Sequence, residues 1–496
     1  MQAQYCVWGA TIKGVEAIPV AVEVLVGSGL PSFSIVGMPD AAIQEARERV
    51  RAAIRACGFT MPNEKVVVNL APGSLKKSGS GFDLPIALGI LAATGQIPRQ
   101  CVEGKLCVGE LSLEGQVRPV KGMLAFELCA QECGLDMVSA QPDDGLVRID
   151  GLVCVTARSL ADFMTGIFAE GTLRPWTQTD HELDFADISG HETAKRALQI
   201  AAAGKHGVLM MGPPGSGKTM LASRLPTILP PLSEKERIEA ALVHSVAGED
   251  IAPILAGVRP FRSPHHSTSM AGLVGGGTPL RPGEISLATG GVLLLDELSE
   301  FKPSVLQAIR QPLESGRITV TRADGNASFP ADFMLVGATN PCPCGYFGDT
   351  EIGCSCTVQQ IKNYQNRIGG PLMDRIAIHI DVWRTRPLQV LKAGKGISSE
   401  KLREGVLLAR EYAEARMRRE GSDGSSQSLI RACALEESEE EFLQDMARLH
   451  YMSGRGIVRT LSIARTIADL DRRPAVGKEH LCEALGLRLR DGVGAL

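Results

Sequence analysis

The segment GVLMMGPPGSGKTMLASRLPTIL, residues 207–229, decides the fold of this chain. It begins with a short apolar run, passes through a glycine-rich loop and continues with helical periodicity. A buried strand, a G-x-x-x-x-G-K-T loop and a helix are the three parts of a phosphate-binding loop (P-loop). Because glycines let backbone N–H groups wrap around phosphates, the segment predicts a nucleotide-binding α/β domain.

Two side chains of the loop are expected to have different roles in ATP binding. Lys218 is expected to place its charge at the β- and γ-phosphates, and the Thr219 hydroxyl is expected to reach Mg²⁺. The alternative is a glycine-rich turn that only opens a helix, which the flanking strand and helix disfavour. The residues predicted to contact the nucleotide are Gly212, Pro213, Pro214, Gly215, Ser216, Gly217, Lys218, Thr219 and Met220.

Two other apolar runs end in polar residues that suit the same site. In GGVLLLDE, Asp296 and Glu297 follow a buried strand, and in MLVGATN, Asn340 follows another. Open α/β sheets bind ligands at the carboxyl ends of their strands. We therefore expect Asp296 to orient Mg²⁺, Glu297 to polarise the attacking water and Asn340 to hold that water or the γ-phosphate. An exposed acidic strand end is the alternative for the carboxylates.

Length and composition restrict the class of protein. A chain of 496 residues suggests about three domains. A net charge of −4 gives no general affinity for nucleic acid, so any such binding must come from local loops or from a ring of subunits. No signal peptide and no apolar run of membrane-spanning length is present, which predicts a cytoplasmic protein without a membrane partner.

Four of the 13 cysteines are clustered, whereas the others are scattered and are expected to be reduced thiols. Cys342, Cys344, Cys354 and Cys356 lie within fifteen positions of the sequence. Four thiols suit tetrahedral Zn²⁺, although the C-x-C spacing is tighter than the common C-x₂-C pair. Reduced thiols in a packed loop are an equally good interpretation.

Hydrophobic patterning divides the chain into α/β and helical parts. Residues 1–168 mix strands with helices at 40–58, 82–94 and 122–133, and a linker without periodicity follows at 169–186. Residues 187–387 alternate helices with apolar strands at 207–211, 292–295, 333–337 and 376–382, as in a buried parallel sheet. Residues 388–496 are helical, with predicted helices at 400–419, 439–450, 456–470 and 478–489.

Two segments of the middle region have a composition unlike that of the core. Residues 259–286 are rich in Gly and Pro and predict a flexible insertion, to which Arg259, Arg262 and Arg281 give a positive bias. Its adjacent His265 and His266 favour hydrogen bonding within the loop over metal binding. Residues 317–329 predict a hairpin with Asp324-Gly325 in its turn.

The order of these motifs resembles that of the magnesium-chelatase-like AAA+ ATPases of the YifB/ComM family, over essentially the whole chain. The resemblance is carried by ISGHETAKRALQIAAAGKHGVLMMGPPGSGKT, FRSPHHSTS, GGGTPLRPGEISLATGGVLLLDELSEF, NPCPCG and GPLMDRI. It implies a homohexameric ring with ATP at the subunit interfaces and hairpins in the pore. It also implies a helicase or branch-migration factor that acts on branched or single-stranded DNA in natural transformation.

The same resemblance assigns roles to residues that the motifs alone leave open. It implies that Arg375 is an arginine finger, where a salt-bridge or surface arginine is the alternative. It places Arg455 at the sensor-2 position, with Arg459 as a nearby competitor. It also places Ile188 and His191 beside the adenine.

Residues 67–90 and 115–135 resemble the protease domain of Lon in their strand–loop–helix order. The Ser and Lys positions of the Lon catalytic pair fall on Gly81 and Leu124, so both functional groups are missing. Closeness in sequence does not by itself make a catalytic Ser–Lys pair of the nearby residues, which are Ser78, Ser80, Lys76, Lys77 and Lys121. An ATP-dependent protease is therefore disfavoured, and the remaining alternative to a DNA motor is a chelatase-like motor that remodels a partner protein.

Overall fold

A computed structural model of the chain describes residues 3–142, 145–173, 183–277, 280–322, 325–385, 396–421, 423 and 425–488. The fold is α/β, with a helical C-terminal part. Much of the predicted linker, and the turn residue Asp324, lie outside the described residues. Among the residues that are described, no helix is long and apolar enough to cross a membrane.

The N-terminal part is built on an eight-stranded mixed sheet. Its two longest strands, Ala3–Lys13 and Glu16–Gly27, form an antiparallel pair in which alternate valines face the core. Across the sheet the strands are Ala169–Glu170, Cys154–Thr156, Asp136–Ser139, Lys105–Cys107, Ala3–Lys13, Glu16–Gly27, Lys65–Ala71 and Ser32–Val36. The remaining pair is Glu110–Leu111 with Val117–Arg118.

Helices cover this sheet where the sequence predicts them. The helix Asp83–Ala93 is buried almost throughout, as its run of apolar residues requires, and Ala41–Ala56 buries one apolar stripe. The third predicted helix is Met123–Glu132, and a short helix, Asp162–Thr165, was not predicted. Single 3₁₀ turns occupy Ser80–Phe82 and Arg99–Cys101.

A five-stranded parallel sheet forms the centre of the molecule. The four predicted apolar runs are confirmed as strands. Three of them are completely buried, as expected for strands with helices on both faces, whereas the edge strand Ile378–Asp381 is only partly buried. In spatial order the strands are Phe261–Arg262, Val292–Leu295, Met334–Thr339, Val208–Met211 and Ile378–Asp381. The P-loop strand is therefore second from one edge, between the strands that precede Asn340 and follow Arg375.

Helices of varied length surround the central sheet. The P-loop helix Lys218–Ile228 and the helix Glu192–Gly204 share one apolar core with the sheet. The other helices are Glu234–Ala247, Ala252–Leu255, Met270–Val274, Glu284–Leu287, Pro303–Ala308, Arg310–Ser315, Val358–Gln365 and Gly370–Met373. Further 3₁₀ turns are Phe185–Asp187 and Leu298–Glu300.

The C-terminal part is helical, as predicted, and packs on helices that cover the central sheet. Its helices are Ser399–Glu420, Ser426–Cys433, Glu437–Leu449, Gly454–Leu470 and Lys478–Gly486. The first contacts both Glu192–Gly204 and the P-loop helix. The sequence did not predict the helix Ser426–Cys433. This helix is short, and its many polar residues obscure the helical periodicity of its apolar residues.

The insertion between the P-loop helix and the Asp296 strand is more ordered than its composition predicts. Phe261–Arg262 joins the central sheet, and Leu273 and Ile285 are completely buried. The expectation that this segment contributes no core element is therefore wrong. Its Gly and Pro residues supply tight turns around short elements, including the strand pair Gly275–Gly276 and Arg281–Pro282.

The predicted hairpin is present and contacts the N-terminal part. The strands Arg317–Arg322 and Gly325–Pro330 pair with Arg322 opposite Gly325. Phe329 is fully buried beside Val15 and Val243. Because these apolar side chains come from three separate segments, the base of the hairpin is fixed to both the N-terminal sheet and the helix Glu234–Ala247.

Candidate active site

The P-loop brings a buried lysine to the carboxyl edge of the central sheet. Gly217 has a φ of 88°, a left-handed conformation that suits glycine, and the helix begins at Lys218. The Lys218 ammonium donates to the carbonyl oxygens of Gly212 at 2.8 Å and Pro213 at 3.0 Å. Burial lowers the pKa of Lys218, and the Asp296 carboxylate opposes this shift. The carbonyl groups of the loop therefore hold the Lys218 ammonium by hydrogen bonds.

Thr219 and Asp296 lie together, as the sequence predicts. The Thr219 hydroxyl donates to the Asp296 Oδ2 atom at 2.7 Å, across 77 residues of sequence. A hydroxyl and a carboxylate are the oxygen donors that Mg²⁺ prefers next to bound phosphates. The donor set therefore fits this ion.

Asn340 reaches the same point from the neighbouring strand. Its Oδ1 atom accepts from the Lys218 ammonium at 3.4 Å. The preceding Thr339 is held by Ser299, with 2.6 Å between the two hydroxyl oxygens. The structure thus brings the predicted Lys218, Thr219, Asp296 and Asn340 to one edge of the sheet.

Glu297 has a contact that sequence reasoning missed. Its backbone is left-handed, with φ of 53°, and its Oε2 atom lies 3.1 Å from Nδ1 of His266. The prediction of loop hydrogen bonding is confirmed for His265, whose Nδ1 is 2.7 Å from the Ser267 hydroxyl. No local pattern could have paired His266 with a residue 31 positions away.

The positive bias predicted for the insertion is wrong for two of its three arginines. Arg262 lies between Glu249 and Glu284, with closest contacts of 3.0 and 2.7 Å. Arg259 is buried and pairs with Glu236 at 3.3 Å. Glu236 and Glu249, which precede the insertion, and Glu284 within it neutralise these two arginines. Arg281 remains exposed.

His191 lies beside the P-loop. A side chain placed on Gly217 would come within 3.6 Å of its Nε2 atom, which is also 2.8 Å from the Thr385 hydroxyl. Burial and Lys195 lower the pKa of His191. Ile188 is buried, and its carbonyl accepts from the Lys195 ammonium at 2.6 Å. The nucleotide-binding roles of Ile188 and His191 remain predictions.

Of the three arginines singled out in the sequence, Arg459 of the helix Gly454–Leu470 meets Arg375, and Arg455 lies in the first turn of the same helix. Arg375 donates to Glu314 at 2.6 Å and to the Pro371 carbonyl at 2.7 Å. Arg459 donates to the Arg375 carbonyl at 2.9 Å. Arg455 is exposed. Burial lowers the pKa of Arg459, and the positive charge of Arg455 adds to this shift. The finger and sensor roles remain predictions, and Glu314 gives Arg375 a partner within its own chain.

The four clustered cysteines converge although they lie on two turns of a loop. Their sulfur atoms all lie within 4.8 Å of one another. The Cys342, Cys344 and Cys354 sulfurs are separated by 3.3 to 3.7 Å. Four sulfurs bound to Zn²⁺ at about 2.3 Å in a tetrahedron lie about 3.8 Å apart. The donor set and spacing therefore fit a tetrahedral metal ion.

Backbone groups and burial make two of the four sulfurs, those of Cys344 and Cys354, unequal. Although burial opposes it, N–H groups of Tyr346 and Ser355 lower the pKa of Cys344 to about 5. Burial raises the pKa of Cys354 to about 12. The Cys344 and Cys354 thiols therefore differ widely in proton affinity.

The cysteine loop packs directly on the P-loop. Gly345 has a φ of 87°, and a Cβ atom at this position would lie 2.7 Å from Cδ of Pro214. The loop also begins two residues after Asn340, and the Pro341 carbonyl accepts from Gln365 at 2.9 Å. The cysteine cluster and the nucleotide site are thus neighbours in space.

The Lon-like region lacks a Ser–Lys pair at the predicted positions. Leu124 is buried against Ala240 and Ala241 of the helix Glu234–Ala247, and its N–H donates to the Ser245 hydroxyl at 3.4 Å. The nearby Lys77 is fully buried, and its ammonium donates to the carbonyls of Gly37 and Pro72. At Leu124 the N-terminal region therefore packs against the helix Glu234–Ala247.

Comparison with known families covers nearly the whole chain. Three family models match in succession: subunit ChlI of Mg-chelatase at residues 22–141, magnesium chelatase subunit ChlI at 184–390, and the ChlI C-terminal region at 396–488.

Some individual relatives are similar to this chain over nearly their full length, and others over only a part. Competence protein ComM of Haemophilus influenzae is 41% identical over 97% of each chain. The uncharacterized protein YifB of Escherichia coli is 38% identical over 96% of each chain. The magnesium-chelatase 67 kDa subunit of Heliobacterium mobile is 26% identical, over 40% of this chain and 31% of its own.

Proposed function

Because the chain belongs to the magnesium-chelatase-like AAA+ family of ComM and YifB, we propose that it is an Mg²⁺-dependent ATPase that assembles into a homohexameric ring and moves or remodels DNA. The observation that carries the ATPase proposal is the convergence of Lys218, Thr219, Asp296 and Asn340 on one sheet edge. We place this motor in the cytoplasm, consistent with 13 unpaired cysteines.

The proposed hydrolysis divides the work among these residues. Lys218 leaves its loop carbonyls to contact the β- and γ-phosphates, and Asn340 orients the γ-phosphate or the water. Thr219 and Asp296 hold Mg²⁺, which neutralises phosphate charge when bound. Glu297 polarises the water that attacks the γ-phosphate. Met220 lies in the first turn of the helix that begins at Lys218, whose N-terminal N–H groups face the phosphates.

The ring is supported by family membership. We propose that Arg375 exchanges Glu314 for the γ-phosphate of ATP in the adjacent subunit, where a guanidinium stabilises transition-state charge. Arg455, exposed on the lid, then acts from its own subunit as the sensor.

DNA is favoured over a protein substrate by the extent of the similarity. The match to ComM includes the N-terminal region, whereas the match to the chelatase 67 kDa subunit covers 40% of this chain. A chelatase-like motor acting on a partner protein is the second candidate, supported by the three ChlI family models. Proteolysis is not proposed, because Gly81 and Leu124 supply no nucleophile or base.

We further propose Zn²⁺ in the four-cysteine cluster and four functional parts in the chain. These parts are a Lon-like domain at 1–168, a linker at 169–186, the ATPase core at 187–387 and the helical lid at 388–496. The last strand of the N-terminal sheet, Ala169–Glu170, extends the first part by two residues. In support of Zn²⁺, the cluster already has the spacing of a tetrahedral thiolate site.

The central experiment measures ATP turnover with single-stranded, duplex and four-way DNA over a salt series, and with candidate partner proteins. We expect four-way or forked DNA to stimulate turnover, with a steep loss as salt rises. Stimulation by a protein and not by DNA would favour the chelatase-like alternative.

Two variants test the ATP site itself. Lys218→Ala should not bind ATP, whereas Glu297→Gln should bind it, turn over very slowly and accumulate as an ATP-bound oligomer in light scattering. Substantial turnover by Glu297→Gln would reject the assignment of the base. A particle that stays monomeric at every ATP concentration would reject the ring.

The metal is tested by elemental analysis of protein purified without chelator. We expect one Zn²⁺ per chain, lost when Cys342 and Cys344 are both changed to Ser and retained when the exposed Cys6 and Cys133 are changed instead. Metal-free parent protein would identify the cluster as reduced thiols.

A further inference from the structure

Arg459 of the lid holds the backbone of Arg375. Its Nη1 atom donates to the Arg375 carbonyl at 2.9 Å, across 84 residues of sequence. Arg459 lies in the second turn of the helix Gly454–Leu470, and Arg375 lies shortly after the helix Gly370–Met373. The contact therefore ties the lid to the segment that carries the proposed arginine finger.

The lid makes two further backbone contacts to the residues that follow. The Arg488 guanidinium donates to the Ala377 carbonyl at 3.3 Å. The N–H of His379 donates to the Leu487 carbonyl at 2.7 Å. These contacts hold the start of the edge strand, and Arg459 extends the hold to Arg375 itself.

The local sequence gives the Arg375 backbone little support. The helix Gly370–Met373 is one turn long, begins with a glycine and follows Gly369, which has a φ of 76°. Such a short helix is marginal by itself, and glycine increases backbone freedom. The position of Arg375 consequently depends on contacts from distant parts of the chain.

Backbone position matters because the Arg375 side chain has to move. Its guanidinium donates to Glu314, whose side chain is 54% exposed, and to the Pro371 carbonyl. To reach a phosphate of an adjacent subunit, the guanidinium must leave Glu314 by rotation about its side-chain bonds. The place of the backbone then determines which positions the guanidinium can reach.

The electrostatics of Arg459 also indicate a task at this point. Burial and the charges of Arg375 and Arg455 lower the pKa of Arg459, although Asp374 and Glu314 oppose the shift. A guanidinium among like charges needs a compensating interaction, and its charge-assisted hydrogen bond to the Arg375 carbonyl supplies one. Positive charge gathered beside Arg375 favours an anion there, as the γ-phosphate of a neighbouring ATP would provide.

We propose that Arg459 is a positioning residue for the arginine finger: by holding the Arg375 backbone, it sets the point from which the guanidinium reaches the ATP of the adjacent subunit. The inference rests on the proposed function, since it takes Arg375 as a finger that acts in trans. It gives Arg459 a role different from that of a sensor for the ATP of its own subunit.

The test compares Arg459→Met, which keeps an apolar stem and loses the donor, with Arg459→Lys, which keeps a charged donor. We expect Arg459→Met to lower kcat roughly tenfold to a hundredfold, since a charge-assisted hydrogen bond is lost and the finger is misplaced. Its Kd for ATP should not change, because its own P-loop is intact. Arg459→Lys should recover much of the loss, and Arg448→Ala, which removes an exposed lid arginine, should behave as the parent protein.

Mixed rings show on which subunit's ATP Arg459 acts. A Lys218→Ala subunit does not bind ATP but offers an intact Arg375 and Arg459 to its neighbour. Together with Arg459→Met, it should give more activity than the two proteins measured separately. The double variant Lys218→Ala/Arg375→Ala is the control partner and should give no such gain.

A second double variant tests whether Arg459 acts through Arg375. Arg375→Ala/Arg459→Met should be about as slow as Arg375→Ala alone, because a finger that is absent cannot be misplaced. Thermal unfolding verifies the fold of each variant. If Arg459→Met does not fold, Arg459→Gln, whose amide lies closer to the backbone than the guanidinium, takes its place with the same expected results.

The outcomes separate this inference from the finger on which it rests. Parent-like kcat or weakened ATP binding in Arg459→Met, losses that multiply in the double variant, or mixed rings without a gain each overturn the positioning role while Arg375→Ala stays slow. Parent-like turnover by Arg375→Ala overturns the finger itself, and the positioning role with it.

Discussion

Changing Gly345 to Ala should weaken ATP binding from outside the nucleotide site. The new Cβ atom would lie 2.7 Å from Cδ and 3.0 Å from Cγ of Pro214, well inside ordinary carbon contact. The φ of 87° adds about 1–2 kcal/mol for a residue with a side chain. Relief of the overlap requires the cysteine loop and the P-loop to separate, at a typical overpacking cost of about 1–3 kcal/mol.

These two contributions set the expected size of the effect. If the strain falls on the ATP-binding form of the P-loop, a cost of about 2–5 kcal/mol corresponds to a loss of affinity of roughly thirtyfold or more. Equilibrium titration with a fluorescent ATP analogue measures this loss. Gly353→Ala is the matched control, because it lies in the same loop and its Cβ would meet nothing within 4 Å.

One result would refute the reasoning. If Gly345→Ala folds, carries the same metal content as the parent protein and binds ATP as tightly as Gly353→Ala, the contact between the two loops does not shape the nucleotide site. A loss of metal with unchanged ATP affinity would lead to the same conclusion.

Two other predictions concern the lid side of the core. Arg375→Ala should bind ATP but hydrolyse it at least about a hundredfold more slowly, and mixing it with Lys218→Ala should give more activity than either variant alone. If Glu314→Ala shows the same defect and the mixture of Arg375→Ala with Lys218→Ala stays inactive, Arg375 serves only its pair with Glu314. Burial lowers the pKa of His206 from 6.5 to about 4, so the unfolded chain binds the proton more tightly, and stability should fall by about 3 kcal/mol as pH decreases between these values. In urea unfolding this part of the pH dependence should disappear in His206→Asn, and its persistence would contradict the assignment.

The sequence by itself determined the elements whose signals are local. The apolar runs before Gly212, Asp296 and Asn340 became parallel strands, because continuous apolar residues require burial on both faces. The P-loop could be predicted residue by residue, since its glycines and its Lys-Thr pair are contiguous and bind through backbone groups. Most long helices were also predicted, because their periodicity extends over several turns.

Only the tertiary structure decided which distant side chains meet. His266 and Glu297, Arg262 and its two carboxylates, and Arg375 and Glu314 carry no local signature, because each pair is made by packing and not by periodicity. The short strand Phe261–Arg262 also depends on tertiary structure. Two residues are too few to show a strand pattern in the sequence, and the strand forms because it pairs with the edge of the central sheet. The thiol spacing predicted a cluster without its geometry, and the folded loop supplied it, since sulfur distances depend on how two turns fold against each other.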